Sequence, residues 1–516
     1  MIVLLPTEEE GRNILKFKNH KYKENVPFAV YADIECLLEP VTNSQIDKAA
    51  YQKHIPTSVA YYTKRSFNDS TSEPKVYREK DCIEWFIKEL KDLAVNVNSR
   101  LQNPVPMEKL TSKQKQDFQN AKLCHICEKG FKKDDVKHRD HCHFTCKYCG
   151  PAHGSCNINY KDFHIIPVVL HNLSGYDSHF FIIELAQSFE GHVSLLPVNE
   201  EKYISFTKYV PNPRVKLRFI DSFRFMPCSL KKLASYLNHS AKTITRKFCK
   251  NDSEYNLLTR KGVFPYKYID SWKKLEEGSL PPKEAVYSKL NDLHISDEDY
   301  QPDCKVWETF NLQNLGQYSD LYLKTDVLLL ADIFENFRKT CFATYKLGPL
   351  HYYTAMGLSF VAMLKYTGIK LLLLTDVEML LLIQKAIRGG VSQCFNRFAK
   401  ANNRFMEEDC NPYDPESYIF YLDIKNQYGK AISEFLPYQD FEWFENFENV
   451  PSFFNAPDDS PEGYILEVDL EYPEELHDLY KDLPLCTEHF VPPGSKYQIL
   501  KLVTNLLPKK NCVLHY

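Results

Sequence analysis

The stretch "FAVYADIECLL", residues 28–38, constrains this chain more than any other. It reads as a buried strand, yet it carries two carboxylates two residues apart. Successive strand side chains point to opposite faces, so Asp33 and Glu35 share a face with Tyr31. A lone buried carboxylate is costly, and two neighbours repel unless a proton or a cation intervenes. Any fold that keeps this strand inside must bring it a positive partner.

The 516 residues exceed one ordinary core, so about two to four domains are expected. Hydrophobic residues make up 44% and charged ones 26%, which fits a soluble globular chain. The formal net charge of -4 does not advertise nucleic-acid binding, so any basic groove must be local. The longest apolar run, "GIKLLLLTDVEMLLLIQKAI", is broken by Asp376 and Glu378, and no membrane partner is expected. "MIVLLP" is too short for a signal peptide's apolar core and lacks a basic start. The expectation is an intracellular chain that is not secreted, with the nucleus as one candidate compartment. Its 16 cysteines are then read as reduced thiols and metal ligands.

Strand and helix signals alternate along the chain, without an internal repeat or a low-complexity segment. Helices are expected in "DCIEWFIKELKDLAVNVN", "LKKLASYLN", "MGLSFVAMLKY", "TDVEMLLLIQKAIRGG" and, most strongly, at residues 318–342. Strands are expected in "HIIPVVLHNL", "VKLRFIDSF" and "YIFYLDIKNQYG", while residues 251–300 are polar and poorly periodic.

Two further segments match the first in kind. In "HNLSGYD" an apolar run leads through Asn172 to Asp177, and "YLKTD" places Tyr322 and Asp326 four apart on one helix face. Together the three offer four acidic groups and a phenol. Two divalent cations roughly 3.5–4 Å apart need such a cluster to stabilise the attacking and leaving oxygens of a phosphodiester. Oxygen ligands suit Mg²⁺ or Mn²⁺, and a tyrosine can orient the attacking water. Taken singly, an Asp-x-Glu pair is an ordinary solvated strand face and a Tyr-x-x-x-Asp pair an ordinary helix surface.

In their order and context, these segments resemble the 3′–5′ exonuclease motifs of family B DNA polymerases of the organellar and viral, protein-primed type. Asp33-x-Glu35 is similar to Exo I, Asn172 to Asp177 to Exo II, and Tyr322-x-x-x-Asp326 to Exo III. The resemblance implies that Asp33, Glu35, Asp177 and Asp326 hold the metals, that Tyr322 positions the water, and that Asn172 contacts a single-stranded DNA end. "DSFRFMPCSLKKLA", from Asp221, is similar to the segment between Exo II and Exo III.

Further on, "IRGGVSQ" resembles the Tyr-x-Gly-Gly-type linker of the same polymerases, where Gly389 and Gly390 would let the backbone approach a phosphate. A helix C-cap at Gly389 is the simpler reading, and both can hold. "YLDIKNQYG" resembles polymerase motif A, which implies a metal-ligating Asp423 and a Tyr428 under the incoming sugar. No Lys-x-x-x-Asn-Ser-x-Tyr-Gly (motif B) and no Asp-Thr-Asp (motif C) follows. The expectation is a transposon-like polymerase truncated after motif A, which does not polymerise as it stands.

Between Exo I and Exo II lies a cysteine- and histidine-rich insert. Cys124-x-x-Cys127 is half a zinc site that His153-x-x-Cys156 can close, whereas Cys146-x-x-Cys149 would complete a four-cysteine ribbon instead. The insert also resembles endonuclease VII-type HNH nucleases in Asp140, His141, His143 and Asn157. That resemblance favours His153 and Cys156 as zinc ligands, and implies Asp140 and Asn157 on Mg²⁺ with His141 as general base.

The expected fold is α/β: a ribonuclease H-like 3′–5′ exonuclease domain over residues 1–345, holding a zinc-binding insert at 115–165, then a helical linker (346–410) and an incomplete palm (411–516). The implied cofactors are Mg²⁺ (or Mn²⁺) and Zn²⁺. The implied partners are DNA, as a single-stranded 3′ end or primer-template, deoxynucleoside triphosphates, and a terminal priming protein. Two rival readings are a stand-alone DEDD-type exonuclease and a catalytically silent, zinc-stabilised nucleic-acid-binding protein.

Overall fold

The computed structural model describes residues 4–40, 52–67, 72–103, 106–142, 144–160, 164–199, 202–211, 215–288, 293–389, 391, 398–444, 457, 459–496 and 498–515. Two compact units divide the chain. One is Phe17–Gly368; the other joins Met1–Lys16 to Ile369–Tyr516.

The larger unit is built on a seven-stranded sheet. Its strands are β1 (Phe28–Pro40), β2 (Gln52–Arg65), β3 (Lys75–Arg78), β6 (Ile165–Leu170), β7 (Val193–Pro197), β8 (Tyr203–Val210) and β9 (Val215–Asp221), in the order β3-β2-β1-β6-β9-β8-β7. Strands β4 (Lys137–His141) and β5 (Tyr148–His153) form a separate antiparallel hairpin in the insert. In the sheet, β1, β6 and β9 are mutually parallel and the remaining pairs are antiparallel. Because β6 is covered on both faces, it reads as the unbroken apolar run "IIPVVL".

Two hydrophobic layers sandwich the sheet. Val30, Ala32, Val168 and Phe219 face α1 (Cys82–Gln102), which contributes Phe86 and Leu90. Ala29, Tyr31, Val169 and Ile220 face the opposite way, onto Leu323, Val327, Leu330 and Phe334 of a 31-residue helix, Leu315–Tyr345. The spacing of those four residues by three and four gives the helix one apolar stripe. The helix starts where the Asn314 side chain accepts the Gln317 N–H and stops where Lys346 turns left-handed, at φ 54°.

This architecture sets where the carboxylates lie. Pairing of β1 with β6 runs through Val30–Val168 and Tyr31–Val169, so Asp33 and Glu35 extend just past the end of β6. There β6 gives way to the turn that carries Asn172 and Asp177, and Asp221 pairs with Leu170 at the end of β9. β6 and β9 thus deliver polar residues at their carboxyl ends, where open α/β sheets bind ligands, and the longer β1 carries Asp33 and Glu35 past that same edge. A register shift between Glu35 and Cys36 kinks β1 at the same place.

In the smaller unit, Ile14–Leu15 pairs antiparallel with Leu371–Leu372, and Ile465–Leu470 pairs with Lys509–His515. The strand expected in "YIFYLDIKNQYG" is not formed. Residues 418–424 belong to no ladder among the described residues, and the helix Gln427–Ile432 follows. Phe420, Tyr421 and Leu422 are 77%, 94% and 84% exposed, so neither a neighbouring strand nor a packed layer stabilises an extended ribbon there. Gly389 is not a helix cap either. The preceding helix, Val377–Ala386, ends on Ile387 in an extended conformation.

Candidate active site

Asp33, Glu35 and Asp326 each place a carboxylate oxygen within 4.8 Å of the others. Strand alternation turns the first two toward the long helix, and the turn spacing of that helix puts Tyr322 one turn before Asp326. Glu35, Asp177 and Asp326 are 3%, 3% and 0% exposed. Asp177 stands outside the tight trio but close to it: burial and then the charge of Asp33 push its pKa well above the usual carboxylate range. Burial, followed by the charge of Asp326, raises Asp33 to about 7. Glu35 is raised well above its ordinary value by burial and by Asp33. These are mutually repelling, desolvated acids.

Sequence reasoning missed the cation that faces them. Lys261 Nζ is bonded to Asp326 Oδ2 and lies 5.2 Å from the centre of the Tyr322 ring. The loop that presents it is held by Asp303, which accepts from Arg260 Nη2 and from the Val263 N–H, both at 3.1 Å. Gly262 is needed there, because a Cβ would sit 2.8 Å from Asp303 Oδ1 and 3.3 Å from the Tyr322 ring. The same loop supplies Tyr266, whose hydroxyl lies 3.4 Å from that of Tyr322. Burial keeps both phenols protonated well past their ordinary pKa.

One ammonium does not satisfy this cluster. Asp326 Oδ1 is buried and has no hydrogen-bond partner, while its sister oxygen takes Lys261. Clustered hard oxygen donors with an orphaned carboxylate oxygen fit Mg²⁺ or Mn²⁺.

A second group of possible metal ligands lies in the insert. Cys124, Cys127, His153 and Cys156 bring their donor atoms within 4.8 Å of one another. Cys127 Sγ is 3.4 Å and Cys156 Sγ 3.9 Å from His153 Nδ1. A tetrahedral ion with metal–sulfur bonds of about 2.3 Å has donor edges of about 3.7 Å, so the set fits zinc. His153 turns its Nε2 to Asp135 Oδ2 at 3.4 Å, an outer carboxylate that orients the ring. Burial opposes ionisation of Cys124, but the N–H groups of Cys127, His153 and Ile126 outweigh it and bring the thiol down to about 6. Cys146 is not in this group, and Cys149 falls with Glu24 and Asp140 instead.

Asp140 is buried on β4 with its Oδ2 3.0 Å from His125 Nε2. The next residue, His141, is half-buried beyond a register shift, and Asn157 sits on the short helix Gly154–Tyr160. In the smaller unit Asp423 is exposed, Tyr428 is 83% exposed, and among the described residues nothing lies within 4 Å of a Cβ built on Gly389. Gly390 and His143 fall outside the described residues.

Residues 157–450, more than half of the chain, match the family model described as DNA polymerase type B, organellar and viral. The chain belongs to that family. Membership places this type B polymerase among the DNA nucleotidyltransferases, with DNA and nucleotides as substrates and a dependence on divalent metal ions. No curated protein and no solved structure matches the chain. The matched segment holds Asp177, Tyr322, Asp326 and Asp423 but not Asp33 or Glu35. Geometry, rather than the match, joins those two to Asp326. Among the described residues, no helix of this polymerase is long and apolar enough to cross a membrane.

Proposed function

We propose that the larger unit is the ribonuclease H-like proofreading domain of a type B polymerase, hydrolysing single-stranded DNA from its 3′ end. One observation carries this reading: two acids outside the matched segment, Asp33 and Glu35, share one 4.8 Å cluster with Asp326 from inside it.

Asp33, Glu35, Asp177 and Asp326 would hold two divalent cations. When bound, such a pair stabilises the charge that develops on the attacking and leaving oxygens of a phosphodiester. Tyr322 stays protonated, so it orients the attacking water through its hydroxyl and does not take its proton. Lys261 offsets part of the negative charge and leaves a deficit for the cations to fill. Asn172 would contact the single-stranded DNA end. In the smaller unit Asp423 and Tyr428 would serve the incoming nucleotide, and the four donors of the insert would hold a structural zinc.

The test is shortening of a 5′-labelled single strand in Mg²⁺ or Mn²⁺. Combining Asp33→Ala with Asp177→Ala is expected to abolish it, a loss of at least about 10³-fold. Shortening that survives the double change would transfer the activity to the insert. No shortening by the unaltered chain would leave the carboxylate cluster without a reaction.

A further inference from the structure

We infer that Asp221 is a positioning residue of this site, holding the turn after β6 so that Asn172 meets the end of a single strand. The inference rests on the exonuclease reading and deepens it. Asp221 closes β9 and is 2% exposed. Its Oδ1 accepts the N–H groups of Asn172 and Phe223, each at 2.9 Å, and its Oδ2 accepts that of Ser174 at 3.0 Å. One carboxylate thus ties the end of β9 to two alternate amides of the turn.

The turn needs such a hold. Asn172 sits in the left-handed region at φ 67°, a conformation that costs a residue with a side chain free energy. Gly175 closes over it so tightly that a Cβ would fall 2.6 Å from Asn172 Oδ1. A second clamp reinforces the first: Arg224 Nε donates to Ser174 Oγ at 3.1 Å, and His171 Nδ1 lies 2.9 Å from Ser222 Oγ. The backbone of the turn is gripped from β9, while the Asn172 side chain stays exposed. A buried carboxylate accepting three N–H groups anchors backbone firmly, and amide substitution turns one acceptor into a donor that faces another donor.

The molecule supplies its own control. Asp332 is equally buried, at 2%, and also accepts three hydrogen bonds, from the N–H groups of Ile244 and Thr245 and from Thr245 Oγ1, at 2.7–2.8 Å. It caps a short helix, Thr243–Lys247, and donors from the turn after β6 do not figure among its partners.

The experiment compares kcat/KM of the full chain, in Mn²⁺, on a single-stranded oligonucleotide and on the p-nitrophenyl ester of thymidine 5′-monophosphate. The small ester supplies the terminal nucleotide but no strand behind it, so only the oligonucleotide reads a hold on the strand. Asp221→Asn is expected to lower the oligonucleotide-to-ester ratio about tenfold. Asp332→Asn lowers the melting temperature but moves the ratio by less than about twofold. In an Asn172→Gly background, where glycine accepts the left-handed backbone, adding Asp221→Asn changes the ratio by less than about twofold. In the unaltered chain the Asn172 and Ser174 amides exchange slowly with solvent, with protection of at least about 10²-fold. This last readout does not depend on any variant folding. Equal losses on both substrates, multiplying losses in the double variant, or unprotected amides overturn the inference alone. Hydrolysis of neither substrate by the unaltered chain overturns the exonuclease reading and the inference with it.

Discussion

Lys261 and Asp326, 65 residues apart in sequence, form a bonded pair inside the acidic cluster, with the Asp326 side chain fully buried and the lysine side chain 24% exposed. Lys261→Met removes the charge and keeps most of the bulk. Asp326 Oδ2 would then lose the lysine, beside an Oδ1 that is already buried without a partner. Breaking a buried pair costs about 3–5 kcal/mol, and the partial exposure of the lysine side chain places the expected loss near about 3 kcal/mol in metal-free protein. Added Mn²⁺ should recover more stability in the variant than in the unaltered chain, because the cation takes over the charge of the lysine. Urea unfolding with EDTA and with Mn²⁺ checks both. Equal metal-free stability of the two proteins would mean that the pair is a solvated contact.

The carboxylates also set the direction of a pH effect. Asp33 titrates at about 7 in the folded chain against 3.8 ordinarily, chiefly through burial. Between those values the folded state binds more protons than the unfolded one, so stability falls as pH rises through the window of about 4 to 7. Glu35 and Asp177 are raised for the same reason and add to the fall. A bound cation replaces the proton, so stabilisation by Mn²⁺ should grow with pH. Melting temperatures across that range, with EDTA and with Mn²⁺, read the difference; curves that stay parallel would remove the case for a shared metal cluster.

His351 works in the opposite direction. Burial lowers its pKa from 6.5 to about 4, with Nε2 donating to the Glu24 carbonyl at 2.7 Å and the ring stacked on Tyr22. Here the unfolded state binds the extra proton. Stability is full above about pH 6.5 and is lost as pH falls toward 4. His351→Gln keeps a donor that does not titrate. Proton uptake on unfolding near pH 5 should then drop by about one. An unchanged uptake would mean that His351 is hydrated.

What could be read from the letters depended on how local each signal was. Strand alternation fixed Asp33 and Glu35 on one face with Tyr31, and a one-turn spacing put Tyr322 and Asp326 together. Both are short-range geometry. Lys261 was not legible: it sits in a polar stretch without periodicity, and its role arises only when Asp303 folds that loop onto the long helix. Asp221 was visible as part of a resembling segment, but its grip on three amides is a tertiary fact. The motif at Asp423 misled about local structure. An alternating apolar stretch becomes a strand only where a neighbour takes its hydrogen bonds, and among the described residues 418–424 has none.

The insert yields the sharpest choice between ligand sets. From spacing, Cys124 and Cys127 could share an ion with Cys146 and Cys149 or with His153 and Cys156; the folded chain gathers the second set within 4.8 Å. One zinc per chain is therefore expected by elemental analysis. Cys127→Ser or Cys156→Ser should release it, while Cys146→Ser and Cys149→Ser should retain it. Asp135→Asn weakens the hold on the His153 ring without touching a ligand, and should lower zinc affinity by about 10–100-fold in a chelator competition. Affinity should also fall as pH drops, since the thiols must ionise to bind, and the Cys124 thiol is already brought down to about 6. Zinc that survives Cys156→Ser but leaves with Cys149→Ser would reverse the assignment.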